Sequence, residues 1–136
     1  MSLDIGLANA KTTQPYPSMR IAFDDDGYYW FCFPFFEELQ KRTGEMIDLY
    51  NGAWFTGGNL AELKTTLARI AEAARAMPPE WDIVIGHSIG SYLAPTPPTP
   101  MSERIEREAL LSLIRRFDAL VDEAIREQKW IACLGD

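Results

Sequence analysis

The chain has 136 residues and a formal net charge of -7, and 47% of its residues are hydrophobic. This length and composition predict one globular domain, residues 1–136, and exclude a disordered chain. The acidic balance also excludes a nucleic-acid-binding protein of the usual kind, because neutralising phosphates requires a basic surface.

The first 19 residues are weakly patterned, and we predict a flexible N-terminal segment there. An acidic stretch at residues 24–26 then leads into an aromatic block at residues 28–36. Aromatic enrichment favours a strand for this block, whereas the acidic start and the glycine that follows Thr43 favour a helix. We predict a helix over residues 27–43, with Pro34 as a point where it could break.

In the middle of the chain, an Asn-Gly turn separates residues 46–50 from residues 53–56 and predicts a strand pair. Asn59 is the predicted N-cap of the next helix, with Glu62 at the capping-box position. Apolar residues recur along one side of this helix at Leu60, Leu63, Leu67, Ile70, Ala74 and Met77.

The C-terminal half begins with a predicted buried strand at residues 81–85 and continues into a proline-rich loop at residues 91–101. Ser102 is expected to cap a helix over residues 103–128, and a last strand follows at residues 130–134. Strand, helix and strand together predict a right-handed βαβ unit. The predicted fold class is α+β, or a small α/β fold, with a short mixed sheet packed by two or three helices.

Cys32 and Cys133 have apolar neighbours and no metal-ligand spacing, so we expect buried free thiols, with one long-range disulfide as the alternative. No signal-peptide pattern is present, and no apolar run approaches the ~20 residues that cross a bilayer. We therefore predict a cytoplasmic protein with no membrane partner.

Residues 86–90 spell G-x-S-x-G, the pattern of a hydrolase nucleophile elbow. A catalytic triad needs a separate base, yet His87 is the only histidine and lies inside the motif. We therefore expect a loop at the end of a strand and no catalytic residues. A small serine hydrolase with Ser88 as its nucleophile is the alternative.

The three consecutive aspartates could ligate Mg²⁺ or Ca²⁺, but the calcium-loop pattern is absent, and we predict neither a metal nor a cofactor. The same acids could instead meet a basic protein, with nearby aromatics as anchors. Helix-capping acids and core aromatics are the competing interpretation. The candidate partner-binding residues are Asp24, Asp25, Asp26, Tyr28, Tyr29 and Trp54.

The sequences at residues 29–39, 43–50 and 133–136 resemble a family of small bacterial proteins of uncharacterised function, which implies no activity. Small size, acidity and the missing catalytic pattern also resemble the immunity proteins of bacterial toxin systems, although no residue role carries over. We therefore predict a non-catalytic cytoplasmic binding protein, most concretely an immunity-type inhibitor of a basic protein toxin. A structural or self-assembling subunit, such as a homodimer, is the alternative.

Overall fold

The computed structural model describes residues 2–88 and 97–136 and has an α+β fold, as predicted. Within these residues no helix combines the length and the apolar character needed to span a membrane. The elements in chain order are β1 (Leu3–Ala8), β2 (Ser18–Phe23), α1 (Asp26–Thr43), β3 (Gly52–Phe55), α2 (Gly58–Arg75), β4 (Glu80–Ser88), β5 (Thr99–Glu106), α3 (Arg107–Glu127) and β6 (Trp130–Gly135).

The larger sheet has the strand order β2-β1-β6-β3, and every neighbouring pair is antiparallel. Its centre joins the two ends of the chain, since β1 pairs with β6 from Leu3 opposite Gly135 to Ala8 opposite Trp130. The prediction of a flexible segment over residues 1–19 is therefore wrong for β1, which is a central strand. Local patterning missed it because its partner lies more than a hundred residues away.

One face of this sheet, the core face, carries the side chains that pack against the helices. Phe23 of β2 meets Phe117 of α3 edge to face, with 6.4 Å between the ring centroids. This packing builds one hydrophobic core from strands and helices. The core-face residues are Leu3, Ile5, Leu7, Ile21, Phe23, Ala53, Phe55, Ile131 and Cys133.

α1 is a single uninterrupted helix, so the strand interpretation and the break at Pro34 are both wrong. Its buried positions recur every three or four residues, and Pro34 lies on the exposed side. The helix ends at Gly44, whose φ of 79° is left-handed and whose amide donates to the carbonyl of Gln40 at 2.8 Å.

α2 matches the predicted helix, and its buried face contains the predicted residues except Met77, which lies beyond the helix end. The predicted cap is wrong, because the N-cap position is Gly57 and Asn59 lies inside the first turn. α3 begins at Arg107, four residues later than a cap at Ser102 would place it. Residues 102–106 belong to β5 instead.

β4 and β5 form a separate antiparallel hairpin, with Glu80 opposite Glu106 and Ser88 opposite Thr99. The predicted βαβ unit is therefore wrong, because β4 pairs with β5 and not with β6. The strand pair predicted around the Asn-Gly turn is wrong as well. Residues 46–50 form no strand, and β3 pairs with β6.

The predicted proline-rich loop is only partly described. Residues 91–96 lie outside the described residues, and residues 99–101 belong to β5. The proline-rich sequence therefore joins two strands of one hairpin, whereas we expected it to lead into the last helix.

Gly6 is expected to be essential to the pairing of β1 with β2, because the register shifts at this residue. A Cβ atom there would overlap the backbone carbonyl of Ser18. We expect Gly6→Ala to lower the free energy of unfolding by about 1–3 kcal/mol, measured by urea denaturation.

Gly58→Ala is the matched control, since no heavy atom lies within 4 Å of a Cβ at Gly58 and the residue begins α2. We expect it to leave the protein unchanged or to stabilise it by up to about 1 kcal/mol. Equal effects of the two substitutions would contradict the close approach at Gly6.

Candidate functional site

The N-terminus of α1 carries the predicted acidic residues, but none of them caps the helix. Asp25 is the N-cap residue and its side chain makes no capping hydrogen bond. The cap comes from β5, where the Glu103 carboxylate accepts a hydrogen bond from the Gly27 amide at 2.8 Å. The carboxylates of Asp24 and Asp25 are exposed and form no ion pair within the described residues.

Glu103 reaches the helix because the hairpin packs against α1. Phe31 of α1 lies 5.4 Å from Trp81 of β4 between ring centroids, and Trp81 is opposite Ile105 in the hairpin. The absence of a side chain at Gly27 makes room for this approach. A Cβ at Gly27 would lie 2.8 Å from the Cδ1 atom of Ile105 and 2.9 Å from the Oε2 atom of Glu103.

A cleft of ≈ 320 Å³ opens beside the two exposed aspartates, between the end of β2 and α3. We call it the acidic cleft. Asp24 and Asp25 line one side of it with the partly buried ring of Tyr28, and Leu113 and Arg116 of α3 line the other. The cleft therefore combines two carboxylates, an aromatic ring and one guanidinium group over an apolar floor.

Tyr29 does not belong to this cleft. Its side chain is 3% exposed and stacks on Phe36, and its hydroxyl donates to the carbonyl of Ile47 at 2.8 Å. Burial raises the pKa of the Tyr29 phenol, and the Asp48 carboxylate raises it further. The prediction that Tyr29 contacts a partner is corrected, because the residue is part of the core.

Trp54 lies at the opposite edge of the sheet from the acidic cleft. The cleft adjoins β2 and Trp54 belongs to β3, and these are the two edge strands, separated by about 14 Å at the usual strand spacing. The Trp54 amide donates to Oε1 of Glu45 at 2.7 Å, and its side chain is partly buried. The structure thus brings together Asp24, Asp25 and Tyr28 in the cleft, whereas Asp26, the first residue of α1, and Trp54 do not line it.

Ser88 lies in β4 and is paired with Thr99, whereas an elbow serine occupies a sharp turn between a strand and a helix. The neighbouring His87 is opposite Pro100 in the same hairpin. The last two residues of the motif fall outside the described residues. Within the described residues, no group of three or more His, Cys, Asp or Glu side chains is arranged to hold a metal ion.

Glu103 is the functional residue that sequence reasoning missed. The predicted helix over residues 103–128 would have begun at Glu103, whereas the structure places this residue in β5. The buried Ile105 between exposed Arg104 and Glu106, near the end of β5, is a weak strand signal. The contact with Gly27, 76 residues earlier in the chain, has no signature in either local sequence.

The expectation of buried free thiols is confirmed. Cys32 and Cys133 are free and fully buried, and burial raises the pKa of both thiols. The neutral thiol is thus the stable form of each residue inside the core.

The cap supplied by Glu103 is expected to contribute measurably to stability. Glu103→Ala removes the acceptor of the Gly27 amide, and we expect a loss of about 1 kcal/mol in the free energy of unfolding. Asp25→Ala is the matched control and should change it by less than about 0.5 kcal/mol, because Asp25 caps nothing. Urea denaturation measures both, and a larger loss for Asp25→Ala would contradict the assignment of the cap.

The buried thiols make stability depend on pH. The folded protein retains their protons at a pH where the unfolded chain, with a usual thiol pKa of 9.0, releases them. Stability is therefore retained below pH 9 and falls as the pH rises further, by about 1.4 kcal/mol per pH unit for each thiol. Urea denaturation between pH 8 and pH 10 should show a shallower decline for Cys133→Ala, and an unchanged slope would contradict this account.

No family model matches the chain, and no curated protein or solved structure is significantly similar to it. The resemblances noted from the sequence stay predictions. The case for a function therefore rests on the geometry and charge of the acidic cleft.

Proposed function

We propose that this protein is a non-catalytic cytoplasmic binding protein that holds a basic protein partner at the acidic cleft. Its most concrete form is an immunity-type inhibitor that covers the active site of a protein toxin. The observation that supports this best is that Asp24 and Asp25 are exposed, do not cap α1 and form no ion pair within the described residues, because Glu103 supplies the cap.

Aspartates at a helix N-terminus usually stabilise the helix by capping it. Since the cap at α1 is supplied by Glu103, the carboxylates of Asp24 and Asp25 are available to another molecule. These two residues are also the whole connection between β2 and α1, so their backbone is held at both ends. A surface held in this way loses little conformational entropy when a partner binds.

Tyr28 adds a second kind of contact to the acidic cleft. Its ring is partly buried and forms one wall beside the two carboxylates. A lysine or arginine side chain on the Asp24 side of the cleft, across from Arg116, would meet negative charge and an aromatic ring together, and cations bind both. The net charge of -7 would also speed the association of a basic partner over a distance.

An inhibitor of this kind needs a fixed complementary surface and no reacting group. The competing serine-hydrolase hypothesis needs a serine at a turn between a strand and a helix, and it is disfavoured because Ser88 ends β4 and the next described element is β5. It predicts labelling by an active-site serine probe that disappears in Ser88→Ala.

Partner capture tests the proposal by comparing the wild-type protein with two double variants that have the same net charge as each other. We expect the tagged protein to recover one stoichiometric basic protein from a lysate of its host, and Asp24→Asn/Asp25→Asn to reduce this recovery about tenfold. Glu37→Gln/Glu72→Gln changes the net charge equally at two exposed positions elsewhere and should keep full recovery.

With the purified partner, the aspartate variant should associate more slowly, and its association rate should depend less on salt. Recovery of no basic partner would contradict the proposal. An equal loss of binding in both variants would show that overall charge acts, and not the acidic cleft.

A further inference from the structure

The second face of the larger sheet, which we call the outer face, is separate from the core and carries mostly apolar side chains, with Asp4 near one end. Side chains on it alternate in register with the core-face residues. A Cβ at Gly52 would lie 3.2 Å from Leu134 and 3.3 Å from the Nε1 atom of Trp54, which places these residues together. The register places the following residues on the outer face: Asp4, Gly6, Ala8, Met19, Ala22, Gly52, Trp54, Trp130, Ala132 and Leu134.

The four large side chains of the outer face are all partly exposed, whereas Ala132 between them is fully buried. None of the four packs against the hydrophobic core, and the described helices join the sheet through the core face. The outer face is therefore an apolar surface with two tryptophans that no described helix covers. Contiguous exposed apolar surface of this kind typically marks an interface.

The free edge of β3 is less suited to binding than the face itself. Strands dock side by side through unpaired backbone groups, but the Trp54 amide already donates to the Glu45 carboxylate. At β3, a partner would therefore meet the side chains of the outer face before the backbone of the strand edge.

The ends of the sheet differ in charge, because antiparallel strands bring distant parts of the chain to the same end. One end carries carboxylates that form no ion pair within the described residues, and the other carries cations. The acidic end has Asp4 and Asp136, whereas the nearby Asp24 and Asp25 line the acidic cleft. The basic end has Lys11, Arg20 and Lys129, of which Arg20 and Lys129 pair with glutamates of α3.

We propose that the outer face is the interface of a homodimer. Two identical faces can be related by a twofold axis that runs along the strands or across them. An axis along the strands would place both acidic ends together, whereas an axis across them places each acidic end over a basic end. A second copy of this chain thus offers an equal apolar surface and, at Lys11, a cation that forms no ion pair within the described residues.

The axis across the strands also fixes the residues that meet. Each strand then lies over the same strand of the second copy, in the opposite direction. Asp4 faces the end of β1 that leads to Lys11 of the second copy, and Trp130 faces Leu134 of the second copy. Trp54 lies near its own equivalent, close to the axis. This dimer does not depend on the proposed function, because the acidic cleft lies on the core-face side of β2.

The molar mass in solution tests the interface. We expect light scattering to give twice the chain mass of 15.4 kDa, and Trp54→Glu to return the mass of one chain. Val84→Glu places the same charge at an exposed apolar residue of the hairpin and should remain dimeric. Met19→Glu is a second outer-face variant, and circular dichroism checks that each variant is folded.

Exchanging charges tests the arrangement. Asp4→Lys and Lys11→Asp should each weaken the dimer about tenfold, and the double variant should regain most of the lost affinity. A wild-type mass of one chain up to about 1 mM would overturn the proposal. A dimer that survives both Trp54→Glu and Met19→Glu would also overturn the proposal. If the charge-exchanged double variant regains no affinity, the twofold axis across the strands is wrong.

Discussion

The antiparallel pairing of β1 with β6 is the contact on which the rest of the structure depends. It joins the first and last strands of the chain along six residue pairs and forms the centre of the sheet. β2 and β3 pair only with these two strands, and Ile5 and Cys133 of the pair belong to the core to which the helices contribute. Without this pairing, the edge strands would have no partner and the helices no surface to pack on.

The same pairing explains where charge and apolar surface accumulate. Because neighbouring strands run in opposite directions, the start of β1 lies beside the ends of β2 and β6. Asp4, Asp24 and Asp136, which are far apart in the sequence, therefore meet at one end of the sheet. The alternation of side chains along each strand separates the helix-covered core face from the outer face. One topology thus produces an acidic end and an apolar face as two distinct surfaces.

Sequence periodicity predicted the helices well because a helix buries residues that are near one another in the chain. Leu63, Leu67 and Ile70 of α2 illustrate this, since their spacing alone identified the buried side. Sequence periodicity did not identify β1 and β5, because the strands they pair with lie elsewhere in the sequence. The candidate site was predicted in part for the same reason. The run of aspartates at residues 24–26 can be read directly from the sequence. The cap from Glu103 and the burial of Tyr29 cannot, because they depend on the hairpin and the core.

The sequence by itself determined the α+β class, the helical spacing of the core residues, the acidity and the lack of a separate histidine base. These properties depend on composition and on short-range periodicity, and neither requires knowing which distant segments come together in the fold. Only the tertiary structure decided that Asp24 and Asp25 are free of a capping role, that Tyr29 is internal and that Trp54 belongs to the outer face. The physical reason is that exposure and pairing are set by segments that approach one another only after the chain has folded.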